Sequence, residues 1–182
     1  MIALRLADMS AVAASPGRGH GWFGWAEFGW FVTLLATALA MGGALAHALT
    51  LPNKIMMDQV DYFAAQQAYR GWNQLGFLLS VEMTGMIALL VSYRRSGPIR
   101  WRIVAALACL VLAIATFWTF TFPANLATDS WQRVPSDWEA LRDLWEFSHL
   151  AGAAFQVLAL CFMLLALQRR ASLGAASRPA PP

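Results

Sequence analysis

Charge is scarce in this chain: only 13% of its 182 residues are Asp, Glu, Lys or Arg, about half the share of an ordinary soluble domain. Thiols are scarcer still. Cys109 and Cys161 sit inside apolar runs with no Cys-x-x-Cys pair, which argues against a thiol–disulfide relay and leaves both as small apolar fillers. A P-loop, a Gly-x-Ser-x-Gly elbow and a His-Glu-x-x-His helix are missing, so P-loop nucleotide, serine-hydrolase and zincin chemistries have no foothold. Missing too is the alternation of apolar and polar residues, in segments of roughly ten, that marks a membrane β-barrel.

What is present is hydrophobic: 59% apolar residues and a mean hydropathy of +0.51. The apolar runs fall at 28–51, 72–93, 101–122 and 143–167. Each is near the roughly 20 residues a helix needs to cross about 30 Å of hydrocarbon. The fold class is therefore all-α, a polytopic membrane four-helix bundle, and the sequence divides into a tail at 1–25, a bundle domain at 26–169 and a disordered tail at 170–182. The segment before Trp22 lacks a signal peptide's apolar core, because Asp8, Ser10 and Ser15 interrupt it.

Basic residues set the orientation. Arg5, Arg18, Arg94, Arg95, Arg100, Arg102, Arg169, Arg170 and Arg178 share one side, against Lys54, Arg70, Arg133 and Arg142 on the other. This predicts a multi-pass protein of a bacterial-type inner membrane with both termini cytoplasmic. The sequence pI of about 9.3 then reflects inner-face arginines in contact with anionic headgroups, not a nucleic-acid surface.

The two halves resemble each other. Each runs as a span, a Pro/Asn exit (Pro52-Asn53, Pro123-Ala124-Asn125), an outer segment and an Arg/Trp entry (Arg70-Gly71-Trp72, Arg142 with Trp145). A parallel two-fold repeat of helix pairs is one reading, and interfacial anchors with helix stops are the other. The outer segments predict short amphipathic helices: Val60, Phe63, Ala64 and Ala68 recur at helical spacing, and Pro135-Ser136-Asp137 starts a helix that runs unbroken into span four.

Three spans carry stripes of small or polar residues that read as inward faces. These are Gly29, Thr33, Ala36, Ala40, Gly43 and His47 in span one; Asn73, Gly76, Ser80 and Thr84 in span two; and Trp138, Arg142, Trp145, His149, Gly152 and Gln156 in span four. His47 and His149 lie at matching depth under the outer face, which predicts that they meet. Glu146 precedes His149 by three residues, the spacing that puts a carboxylate and an imidazole on one helix face; the repeat offers no partner set, so a single ion held by His47, Glu146 and His149 is the metal reading. Glu82, near the middle of span two, stands open between a proton or substrate group, a bond to a neighbouring span and a contact with another subunit.

Asn125, followed by Trp138-x3-Arg142-x2-Trp145-Glu146-x2-His149, resembles the signature of the anthrone oxygenase-like family of small four-span membrane proteins, and His47 with the Pro52-Asn53 exit suits that pattern. The sequence departs from it at Gly152, where many relatives carry Arg. The resemblance implies an apolar, aromatic-lined site at the outer mouth and oxygen-dependent oxidation of anthrones to anthraquinones without a conventional cofactor. Function is thus expected to be oxidation of a hydrophobic aromatic or quinol-like molecule entering from the lipid bilayer. His149 or His47 would take a proton and Arg142 would stabilise the oxyanion, with Asn53, Arg70, Trp72, Asn73, Asn125, Trp138 and Trp145 around the substrate. Two alternatives remain: a haem or metal electron carrier using His47 and His149, and a non-enzymatic subunit of a membrane complex or homo-oligomer joined through the span that holds Glu82.

The charge asymmetry makes a direct prediction. Single cysteines placed at Ser96 and Ser130 should differ in intact cells, an impermeant thiol reagent labelling Ser130→Cys and leaving Ser96→Cys untouched. Labelling of Ser96→Cys would reverse the orientation.

Overall fold

The computed structural model describes residues 24–176. Six α-helices follow in order: α1 (Trp25–Lys54), α2 (Gln59–Gln66), α3 (Leu75–Ser92), α4 (Gly97–Thr116), α5 (Phe122–Ala127) and α6 (Trp138–Ala176). Short 3-10 turns, Gln67–Tyr69 and Trp72–Gln74, join α2 to α3, and a π turn, Phe117–Thr121, joins α4 to α5. Four stretches are long and apolar enough to cross a membrane: Trp25–Lys54, Trp72–Ser92, Gly97–Ala127 and Trp138–Ala176. They form a four-helix bundle in which α1 packs on α3 and α6, and α4 packs on α6 and α3.

Spans one and three run past their predicted ends because proline does not stop them. Pro52 lies inside α1, which continues to Lys54. In the second half the π turn precedes Pro123, and its wider ring absorbs the missing N–H and the ring's clash with the preceding turn. At the other end α6 continues through the expected start of the tail to Ala176, and Arg170 pairs with Glu27 at the start of α1. The remaining residues assigned to the tails, 1–23 and 177–182, lie outside the described residues.

Two cores fill the bundle. The inner one gathers Trp30, Met86, Leu89, Ile99, Ile103, Leu110 and Met163; the outer one is aromatic and gathers Tyr62, Trp131 and Trp145 with Ala124. In lipid the apolar effect does not press helices together, so close backbone approach and buried polar contacts decide the pairing. Gly85 on α3 shows this best: a Cβ there would run into Thr33 Oγ1 on α1, whose hydroxyl is tied to the Gly29 carbonyl at 2.7 Å.

The inward stripe predicted for span one is correct, with Thr33, Ala36, Ala40 and His47 buried. The stripe predicted for span two is reversed. Asn73, Gly76, Ser80 and Thr84 are exposed to the bilayer side, while Glu82 is fully buried and receives a hydrogen bond from Gln156 on α6. Glu82 therefore binds a neighbouring span and does not reach another subunit. The physical reason is that α3 turns its larger residues, Glu82, Met86 and Leu89, into the core and meets α1 through Gly85 between them.

Gly85→Ala should separate α1 from α3, since a stiff β-branched Thr33 blocks the added methyl. The expected loss is about 1–3 kcal/mol, the usual range for overpacking, read as a lower unfolding midpoint in detergent or nanodiscs. An unchanged midpoint would show that the two helices do not meet there.

Candidate functional site

The extension of α1 past Pro52 carries its last turns over the bundle mouth, where α6 begins. There the imidazoles of His47 and His149 lie with ring centroids 4.3 Å apart. His149 Nδ1 sits 2.9 Å from the Trp145 carbonyl, and a carbonyl only accepts, so Nδ1 carries the proton and Nε2 presents a lone pair. His47 Nδ1 is buried with no partner. Three aromatic rings wall the pair: Tyr69, Trp72 and Trp145 lie 4.3, 5.0 and 5.1 Å from the His47 ring. The 3-10 turns supply Tyr69 and Trp72, and Gly71 between them adopts φ +84°, a left-handed angle that a side chain would strain.

Two turns beyond His47, Lys54 is folded inward at 3% exposure, with its Nζ 2.8 Å from Glu146 Oε1. The ammonium also lies over the rings of Tyr69 and Trp145 at 4.8 and 4.6 Å. Tyr62 of α2 donates to the same carboxylate oxygen at 3.0 Å, and Gln66, one turn on, donates to the Tyr62 hydroxyl. Burial, with the Glu146 carboxylate beside it, pushes the Tyr62 phenol well above its ordinary value, so Tyr62 stays a donor. Lys54, Glu146, Tyr62 and Gln66 are all buried, and this chain pins α2 as a lid across α1 and α6.

A second set of contacts orients the indoles. Asn125 Oδ1 accepts from Trp145 Nε1 at 2.9 Å and from Trp131 Nε1 at 3.1 Å. Trp131 closes a turn in which Asp129, Ser130 and Trp131 have φ of 50°, 54° and 64°, a run that L residues adopt at a cost of roughly 1–2 kcal/mol each. Thr128 Oγ1 accepts from the Trp131 N–H, and Gln67 donates to the Trp131 carbonyl, which hold the turn against that strain.

Of the residues expected at the site, His47, His149, Trp72 and Trp145 come together, and Asn125 holds one of the walls. Arg142 does not join them: it lies over the Trp138 ring, beside Asp143 and the Met57 carbonyl, and Trp138 packs under α2 against Tyr62 and Phe63. Asn53, Arg70 and Asn73 are exposed. The cation of the site is instead Lys54, the only lysine of the chain, placed two helical turns after His47 on the same face. That uniqueness and spacing were the available signal. Tyr62 and Tyr69 repeat the seven-residue spacing on the outer segment.

The metal set is not assembled. Glu146 is engaged by Lys54 and Tyr62, and among the described residues no group of three His, Cys, Asp or Glu side chains is placed to hold an ion. Nor do the imidazoles fit a haem between them: axial nitrogens each about 2 Å from a metal on opposite faces stand about 4 Å apart with ring centroids farther still, whereas these rings are in contact. A cavity of about 210 Å³ reaches the aromatic wall from the side, lined by Leu39, Gly43, Gly71, Trp72, Gln74 and Leu75, with Gly43 one turn below His47. A larger groove of about 480 Å³ runs along the π turn and α6, past Phe120, Leu144 and Phe147, away from the imidazoles. No known protein family, curated protein or solved structure matches the chain.

Removing one member of the buried pair strands the other charge. Lys54→Met alone should lower stability by about 3–5 kcal/mol, while Lys54→Met with Glu146→Leu should recover much of the loss. A double-mutant cycle on unfolding midpoints measures the coupling; additive effects would mean the two groups do not pair.

Proposed function

We propose that this is an integral membrane oxidoreductase of the anthrone oxygenase-like kind, acting on a planar phenolic or quinol-like molecule taken from the outer half of a bacterial-type inner membrane, with both chain termini cytoplasmic. The observation that carries the reading is a base and a cation inside one aromatic box. The Nε2 of His149 offers a lone pair against the Trp145 ring, and the Lys54 ammonium, paired with Glu146 on one side, lies over the rings of Tyr69 and Trp145 on the other. A substrate with an acidic O–H or C–H next to a ring oxygen would satisfy both.

The chemistry follows from that pairing. His149 removes a proton, and Lys54 takes the oxyanion role that the sequence assigns to Arg142, stabilising the enolate or phenolate. The electron-rich ring then transfers electrons to O2; an activated CH2 and one O2 give a ring carbonyl and one water, which balances without another oxidant. Trp72 and Trp145 hold the ring plane. Entry between α1 and α3 at Gly43 suits a lipid-soluble substrate.

A second reading, a subunit of a larger membrane complex, is favoured by one feature. Gly76, Ser80, Thr84, Ala88 and Ser92 form an exposed ridge of small residues at four-residue spacing along α3, the geometry that lets another helix approach.

The test is oxygen uptake by the protein in nanodiscs with a panel of hydroxyanthrones and quinols. Turnover is expected, with His149→Gln and Lys54→Met each lowering it about 10²–10⁴-fold and Arg142→Lys leaving it nearly unchanged. If the protein binds none of these molecules by tryptophan quenching and consumes no oxygen, the oxidative reading fails.

A further inference from the structure

The centre of the bundle holds a second polar cluster that the outer site does not use. Glu82 on α3 is 0% exposed, Thr37 on α1 is 0% exposed and Gln156 on α6 is 3% exposed. Gln156 Nε2 donates to Glu82 Oε2 at 3.4 Å, a long bond. The Thr37 hydroxyl faces the same carboxyl, but its own proton is committed to the Thr33 carbonyl at 2.9 Å, so it turns lone pairs toward Glu82. Glu82 Oε1 and Gln156 Oε1 are both buried with no donor. The cluster therefore has an excess of acceptors and is short of one hydrogen.

No formal charge supplies the deficit. On α1 the charged residues are Glu27 and Lys54 at its ends, with His47 near the outer one; on α4 they are Arg100 and Arg102 in its first turns, followed by an uncharged stretch that includes Cys109. On α6 they are Glu139, Arg142, Asp143 and Glu146, with His149 about two turns before the cluster, and Arg169 and Arg170 after it, while Glu82 is the sole charged type on α3. A metal cation fits poorly, because hard cations collect about six oxygens and these side chains offer four. An isolated carboxylate in this setting would be several kcal/mol unfavourable. A carboxylic acid satisfies it directly.

We infer that Glu82 is a proton-binding site in the dry centre of the membrane, held as the neutral acid, with its proton given to the Gln156 carbonyl or the Thr37 hydroxyl and three spans joined through it. Loss of that proton would leave an anion with one long hydrogen bond from Gln156 on α6 and the Thr37 oxygen facing it from α1, so protonation and the packing of α1, α3 and α6 are coupled. The site stands apart from the outer mouth: Gln156 follows His149 by seven residues, about 10 Å along α6.

A hydrophobic carbodiimide tests this, because it reacts with a neutral carboxyl in an apolar site. The acid proton passes to a carbodiimide nitrogen, the carboxyl oxygen bonds to the central carbon, and an acyl shift leaves a stable N-acylurea with no leaving group. Full-length protein in nanodiscs, treated with dicyclohexylcarbodiimide at neutral pH and mapped by peptide mass, should carry the adduct on Glu82 and not on Glu146. Glu82→Gln should lose the adduct and keep the wild-type unfolding midpoint. Infrared spectra of protein with glutamate isotopically labelled at its carboxyl carbon should show a protonated-acid carbonyl band at neutral pH, and this arm needs no variant to fold. A spectrum with carboxylate bands alone, or an adduct absent from Glu82, overturns the inference. So does protection by sodium at constant pH, which would mean that a metal cation occupies the site.

Discussion

The outer half of this protein hangs on one buried ion pair. Lys54 and Glu146 join the end of α1 to the start of α6, and the same carboxylate oxygen also takes the Tyr62 hydroxyl, so three elements converge on one oxygen. Burying two charges costs several kcal/mol per ion before any attraction returns it, and packing alone would stabilise the mouth as well or better. What the pair adds is direction. It requires α1 to continue past Pro52, sets α2 across the opening, and brings Tyr69 and Trp145 against the ammonium and the imidazoles alike.

The mouth and the middle of the bundle solve the same problem in opposite ways. At the mouth a cation and an anion are both present, and aromatic faces shield what hydrogen bonds leave open. At the centre no cation among the described residues pairs with Glu82, and neutrality is the stable condition. The first arrangement keeps charge available for chemistry under a lid; the second removes charge where the hydrocarbon is driest. The helices α1 and α6 contribute to both places, with Ala40 and Ala153 buried between them.

Long apolar runs made the four spans legible, and the matched depths of His47 and His149 made their meeting legible, because both readings depend only on helical period and length. Three things were not. The direction of α3 was misread because small residues mark close approach without saying whether the neighbour is in this chain or in lipid, and Gly85, the true contact, stood outside the stripe. Arg142 shared a face with His149 in projection, but a long side chain at a helix start leans away from its own axis toward whatever covers it, here Trp138 and the Met57 carbonyl. Lys54 was hidden by a proline taken as a helix stop; once α1 runs through Pro52, the same periodicity that points His47 inward points Lys54 inward too.

The π turn at Phe117–Thr121 carries a consequence for how this chain varies. Such a turn holds one residue more than the helix around it, and each residue of a regular helix advances the face by about 100°. Asn125 lies just past it and accepts from two indoles. Because the widened turn takes up its extra residue locally, a deletion within 117–121 would close it to a regular helix while the residues beyond kept their facing, and the Pro123 ring would then press on the turn before it. The extra residue is thus what lets a proline sit inside the third span without turning Asn125 away from the indoles.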